Sequence, residues 1–208
     1  MKLLATFFVI FYSGVIFAQD YFDRKVLDSI TKNEQLNRDM SLCPKDLFEG
    51  REIEYQDLVE ECRSDQRWCL NKCLSKSANH CIGLGHVYVD MENNPQYSRR
   101  LYAQACKLGI VNSCTNYAAG MLRFDEGSNS RCYAETFRFT CSKSDEWGCM
   151  MYGMVLHKGI GIVRNDSKAI LALKKSCQID EENEACDYSK SLASKISTTN
   201  ELRANDGQ

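Results

Sequence analysis

Cysteines place the strongest constraint on what this chain can fold into. Twelve occur in 208 residues, and eight of them form a series: Cys73 with Cys81, Cys106 with Cys114, Cys141 with Cys149, and Cys177 with Cys186. Seven residues lie inside each of the first three pairs and eight inside the fourth, and the leading cysteines recur every 33 to 36 residues. The flanking residues recur as well. Three, four and seven positions after the second cysteine come Leu84, Gly85 and Tyr88, then Tyr117, Ala118 and Met121, then Tyr152, Gly153 and Leu156. Each set is apolar, small and large, and the small residue permits close helix approach. Between Tyr97 and Phe124 the apolar spacing is helical twice over: Tyr97, Leu101 and Ala105 make one stripe, and Cys114, Tyr117, Ala118 and Met121 another. Two antiparallel helices joined by a turn of about five residues set Cys106 beside Cys114, so a disulfide can close the hairpin. A helix–turn–helix unit at this period predicts an all-α fold, an α-solenoid with one disulfide per repeat.

Two stretches, Leu101-Tyr-Ala-Gln-Ala-Cys106-Lys-Leu-Gly109 and Gly159-Ile-Gly-Ile-Val-Arg-Asn-Asp166-Ser-Lys-Ala169, resemble the repeat of the cysteine-rich Sel-like family, relatives of the tetratricopeptide repeat. Cys69-Leu-Asn-Lys-Cys73 followed by Cys81 resembles a first repeat of that family. The resemblance covers residues 62–190. It departs from the pattern at Lys190, where a small residue belongs, and at 125–130, which lacks the Gly-x-Gly. It implies stacked helix pairs that bind proteins or peptides, in envelope assembly, host interaction or toxin immunity. For the cysteine-rich branch it also implies an alternative, penicillin binding with weak β-lactamase activity. The residues offer little for such chemistry. The only Ser-x-x-Lys is Ser29-Ile-Thr-Lys32, outside the repeats, and no Ser-Asp-Asn or Lys-Thr-Gly accompanies it. His-Glu-x-x-His, Gly-x-Ser-x-Gly and a phosphate-binding loop are also missing, and no cofactor is expected.

Residues 1–18 read as a signal peptide: Lys2, an apolar run from Leu3 to Phe17, then Ala18 before Gln19-Asp20. A retained membrane anchor is the alternative, although spanning normally takes about 20 apolar residues. Export makes the protein secreted or periplasmic and makes the cysteines a disulfide framework. The competing metal reading assembles zinc from Cys69, Cys73, His80, Cys81 and His86, but pairing at one period accounts for the cysteines and no metal site is expected. His157 has no partner at ligand spacing. Residues 19–61 form an acidic N-terminal helical segment, with twelve Asp and Glu against six Lys and Arg. Phe22, Val26 and Ile30 suggest one helix in it, and Tyr55, Leu58, Val59 and Cys62 another, with turns at Cys43-Pro44 and Gly50. The solenoid spans 62–195, and 196–208 read as a frayed polar tail. Asn165-Asp166-Ser167 is either a glycosylation sequon or a helix start with Asp166 as N-cap.

Four cysteines remain. Cys62 and Cys69 can staple one further hairpin, and Cys43, on a long tether, can reach Cys132; a free Cys132 is the rival. Repeat proteins of this kind bind along their first helices, which are basic here. Arg67 and Lys72, Arg99 and Arg100, Arg131 and Arg138, and Lys168 and Lys174 make up a candidate binding stripe. A solvated face is the plainer reading of the same charges. A partner for the stripe would carry acidic groups. Nucleic acid does not suit an exported chain of formal net charge −2. The acidic segment 20–61 is expected either to lie in the groove that Arg99, Arg100 and Arg138 line, or to cap the apolar end of the first repeat.

Overall fold

Short polar side chains cap three of the eight helices of the repeats. Asp65, Asp145 and Asn165 each accept the backbone N–H three residues on, at Trp68, Gly148 and Lys168, and satisfy a donor that the first turn leaves open. The computed structural model describes residues 22–89, 95–124 and 129–205, with side chains as far as 199. Twelve helices and no strand occur among the described residues. Four hairpins form the repeats: α5 (Gln66–Leu74) with α6 (Ala78–Val87), α7 (Gln96–Lys107) with α8 (Val111–Phe124), α9 (Ser130–Ser142) with α10 (Glu146–Lys158), and α11 (Asp166–Ile179) with α12 (Glu184–Asn205). A disulfide closes each one: Cys73–Cys81, Cys106–Cys114, Cys141–Cys149 and Cys177–Cys186. Consecutive helices pack on one another, in the manner of a solenoid.

The recurring small residue sits where one repeat meets the next. A Cβ on Gly85 would lie 2.7 Å from the Tyr102 ring, and one on Gly153 2.6 Å from Leu173. Both glycines therefore face the first helix of the following repeat. The large residue of each motif is buried: Tyr88 and Leu156 are at most 1% exposed and Met121 is 5% exposed. A small separate core of Leu156, Ala169, Leu173 and Ile196 holds the fourth repeat to the third.

The N-terminal segment runs across the repeats. It carries α1 (Arg24–Lys32), α2 (Glu34–Asp39) and α3 (Pro44–Leu47). α1 packs on α5 and α7, α2 on α7, and α3 on α7, α8 and α9. Val26, Ile30, Leu36 and Leu47 point inward and join the core of the first three repeats. Cys43 bonds Cys132 at the start of the third repeat. The chain then turns back along the hairpin turns in an extended strap. Lys143 pairs with Glu52 at 2.6 Å, Ile53 N–H donates to Gly109 O at 3.0 Å, and Gln56 N–H donates to Asn79 Oδ1 at 2.9 Å. Those contacts descend from the third repeat through the second to the first. Gly109 permits the crossing: its φ is +113°, and a Cβ there would stand 2.1 Å from Arg51 O.

Three expectations need correction. The helix expected over Tyr55–Cys62 is only α4 (Val59–Ser64), because the backbone donors of the strap bond to other repeats and not to their own preceding turn. The tail expected to fray after Ile196 continues α12 to Asn205, and Ile196 itself is fully buried. Asn165, not Asp166, caps α11. The signal-peptide stretch lies outside the described residues. Among the described residues no helix is long and apolar enough to cross a membrane. All twelve cysteines are in disulfides, with Cys62 bonded to Cys69, which places the chain in an oxidising setting outside the cytoplasm.

Candidate functional site

The basic residues of the first helices do not form one stripe. Arg67 is bound to Asp23 of the N-terminal segment at 2.6 Å, which holds the Asp23 carboxyl below its ordinary pKa. Arg100 donates to Asn37 of the same segment at 2.7 Å. Lys72 lies over the Trp68 ring, and Arg131 pairs with Glu135 on its own helix. Arg138, Lys168 and Lys174 are exposed. Arg99, next to Arg100 in sequence, points to a different side of α7 and lines a cavity with Arg123.

The N-terminal segment thus covers the first-helix face of repeats one to three, and its polar anchors are only partly those that charge alone suggests. Lys107 reaches both oxygens of Asp39, at 3.1 and 3.4 Å, and that carboxylate also accepts from Gln35. Asp39 is 3% exposed, so this pair sits inside the interface. Gln66 Oε1 accepts from Asp23 N–H and from the buried Tyr88 hydroxyl, while the Tyr117 hydroxyl donates to Met40 O at 2.6 Å. Of Arg99, Arg100 and Arg138, only Arg100 contacts the segment among these bonds. The segment does not stop at the first repeat, as a cap would.

Open surface remains along α8. Asn112, Asn116, Ala119, Gly120 and Arg123 follow one another at helical spacing and share one face of that helix. Two cavities meet there. One, of about 570 Å³, is lined by Arg99, Arg123, Ser98, Tyr102 and Phe124. The other, of about 600 Å³, is lined by Glu146, Trp147, Met151, Asn183 and Tyr55 of the strap. Both share His86, Asn116 and Ala119, so together they make one cleft. Beyond Trp147 its ring meets that of Tyr188, 5.7 Å away, beside Glu184 and Asp187.

Different polar groups line the two cavities of this cleft. Burial pushes the His86 imidazole below its ordinary pKa, so it is neutral at neutral pH, and its Nδ1 shares a hydrogen bond with the Tyr102 hydroxyl at 3.0 Å. Arg99 and Arg123 line the same end of the cleft. At the other end Glu146 accepts from Asn183 at 3.1 Å. Behind it lies a buried carboxyl: Asp145, 5% exposed, is pushed up to about 6 by burial. Asp145 accepts from Thr115 Oγ1 and from Gly148 N–H.

Sequence reasoning placed binding on the first helices, whereas the cleft belongs mainly to the second helices. It missed Arg123, Asn112, Asn116, Trp147 and Tyr188. The signal was present in α8, whose polar and small residues recur on the face opposite the buried Cys114, Tyr117 and Met121. The zinc ligand set does not assemble, since Cys69, Cys73 and Cys81 are spent in disulfides. His80 instead lies 2.6 Å from Ser77 Oγ and packs on Trp68. His157 contacts Asp166, whose carboxyl is held down to about 2 by Arg164 first and His157 second. Ser29 and Lys32 lie on the exposed side of α1, where Ser29 Oγ donates to Lys25 O, and neither lines the cleft.

The fold and its surface define a class, a disulfide-stapled helical-repeat protein with an internally bound N-terminal segment. No family model, no curated protein and no solved structure matches the chain.

Proposed function

We propose that the chain is an exported binding scaffold of the Sel-like repeat kind, secreted or periplasmic, which holds an extended segment of a protein partner in the cleft along α8. One observation carries this reading. The first-helix face of three repeats is already taken by α1 to α3 of the chain's own N-terminal segment, while two cavities of about 570 and 600 Å³ run together along α8. Their lining mixes aromatic rings, small residues and the side-chain amides of Asn112 and Asn116. An amide both donates and accepts, as a peptide unit does, so it can bond a passing main chain. Aromatic anchors in a water-excluding groove supply most of the affinity in such complexes.

Gly120 gives the reading its test. It lies in the cleft floor beside the Arg99 stem, and a Cβ there would meet Arg99 Cγ at 3.2 Å. Gly120→Trp fills the groove from a helix surface and leaves the disulfides in place. Peptides selected from a displayed random twelve-residue library on the wild-type protein should lose binding to this variant by about tenfold or more. A library that yields no binders, or binders indifferent to the tryptophan, removes the proposal.

A further inference from the structure

The N-terminal segment meets the same position of every repeat it crosses. Six residues before the leading cysteine of each hairpin stand Arg67, Arg100, Glu135 and Leu171. Arg67 pairs with Asp23 at 2.6 Å, Arg100 donates to Asn37 at 2.7 Å, and Glu135 pairs with Lys45 at 3.6 Å. Asp23, Asn37 and Lys45 thus take the first three positions in chain order. The line then stops, because the chain turns back into the strap. The fourth position holds a leucine, and it is 67% exposed.

We infer that the face of α11 centred on Leu171 is a second binding surface, apart from the α8 cleft. Its occupant is an amphipathic helix of a partner protein, with an apolar residue set on Leu171 and acidic residues about one turn to either side.

The shape of the occupant follows from the neighbouring repeats. Their first-helix face is covered by α1 to α3, and these helices turn Val26, Ile30, Leu36 and Leu47 inward. Val26 and Ile30 have the four-residue spacing by which a helix anchors in a groove. α3 is the last of the three and reaches α9. A helix laid over α11 continues the same layer onto the fourth repeat.

The charge of the occupant follows from α11 itself. Lys168 and Lys174 stand three positions before and after Leu171, so they flank it on one helix face. Both are exposed, and among the described residues neither has an ion-pair partner. Lys174 also repeats Arg138 of the third repeat, each three residues before its leading cysteine. Repeats one and two have Leu70 and Ala103 there, both buried. That position therefore changes along the stack from buried and apolar to open and basic. Exposed ion pairs are weak singly, so the leucine contact supplies affinity and the lysines select the charge of the partner.

A displayed library of single helices, randomised on one face and panned on the intact oxidised chain, is the probe. Binders should carry a large apolar residue with Asp or Glu three or four positions away. Leu171→Asp should weaken them by about tenfold or more, whereas Gly120→Trp, in the α8 cleft, should leave them unchanged. Lys168→Glu/Lys174→Glu should reject the acidic binders and, panned afresh, select Lys or Arg in their place. Leu171, Lys168 and Lys174 are all exposed, and circular dichroism with intact mass without reduction reports whether each variant keeps its helices and bridges. Leu171→Ser repeats the measurement if the aspartate disturbs α11. A library without binders sensitive to Leu171 overturns the inference, as does a binder set whose charges do not reverse in the double variant. Light scattering that shows a dimer dissolved by Leu171→Asp would assign the face to a second copy and overturns it too.

Discussion

Cutting the one bridge that joins distant parts of the chain should cost more stability than cutting any hairpin bridge. Cys43 and Cys132 are 89 positions apart, against eight for Cys106 and Cys114. Three shorter bridges lie within that span. They shorten the effective loop to roughly 70 residues, for which the chain-entropy relation gives about 4.4 kcal/mol at 25 °C, compared with about 2.6 kcal/mol for a hairpin bridge. Both cysteines are half-buried, so serine fits at each. In Cys43→Ser/Cys132→Ser the segment should stay docked, because Val26, Ile30, Leu36 and Leu47 are each at most 4% exposed and such side chains contribute roughly 1.5–3 kcal/mol each on full burial. Guanidinium unfolding, with the m-value followed, measures the loss, and a thermal scan should show a fall of about 9–18 °C for a chain of this size. Limited proteolysis under native conditions should leave residues 22–58 intact. A loss below about 1 kcal/mol would refute the loop-closure reasoning, since it would mean the unfolded chain already holds its ends together. Cleavage of the segment in the folded variant would show instead that the covalent bond, not packing, keeps it in place.

Two further outcomes follow from buried carboxyls. Asp145 has a folded pKa of about 6 against an ordinary 3.8, so the folded state holds the proton more tightly. Its effect on stability is absent below pH 3.8, grows less favourable as pH rises to 6, and is constant above, a total of about 3 kcal/mol. Asp145→Asn should therefore be more stable than wild type at pH 7 and approach it near pH 4; a difference that does not vary with pH in guanidinium melts would be inconsistent with a raised pKa. Asp166 titrates outside this window, since its carboxyl is held down to about 2 and the stability it adds is lost only as pH falls below the ordinary value. Lys107→Met should cost about 2 kcal/mol by leaving Asp39 buried with only Gln35, and adding Asp39→Asn should restore much of it. A double-mutant cycle with no coupling would show that the pair contributes nothing to docking.

The repeats were legible because covalent chemistry and periodicity point the same way. Cys114, Tyr117, Ala118 and Met121 fall on one face of a helix but on both faces of a strand, and the glycines Gly85 and Gly153 mark the seams between repeats directly. The path of the N-terminal segment was less legible. Tyr55, Leu58, Val59 and Cys62 have helical spacing, yet Ile53 and Gln56 give their N–H groups to Gly109 and Asn79, residues 56 and 23 positions away. No local pattern encodes a bond of that kind. Charge was a partial guide: it indicated an acidic segment on basic helices, but could not tell that Arg99 lines the cleft while Arg100, adjacent in sequence, bonds the segment. The cleft was obscured for a related reason, since Asn112, Asn116 and Arg123 look like any solvated face until Trp147 and Arg99 are brought alongside.

The bond between Cys43 and Cys132 also bears on how the molecule is made. Cys43 emerges during synthesis before the other eleven, and six of them appear before its partner: Cys62, Cys69, Cys73, Cys81, Cys106 and Cys114. Those six close on one another in sequence order, each with the next to appear. Cys43 alone must remain unjoined, or be released from a wrong neighbour, while three small rings form inside the large one. Oxidation that merely joins neighbouring cysteines as they emerge would tie Cys43 to Cys62 and mispair every cysteine up to Cys132, leaving only Cys141–Cys149 and Cys177–Cys186 native. The native set therefore calls for an isomerase, or for α1 to α3 to dock on the growing stack early enough to hold Cys43 out of reach.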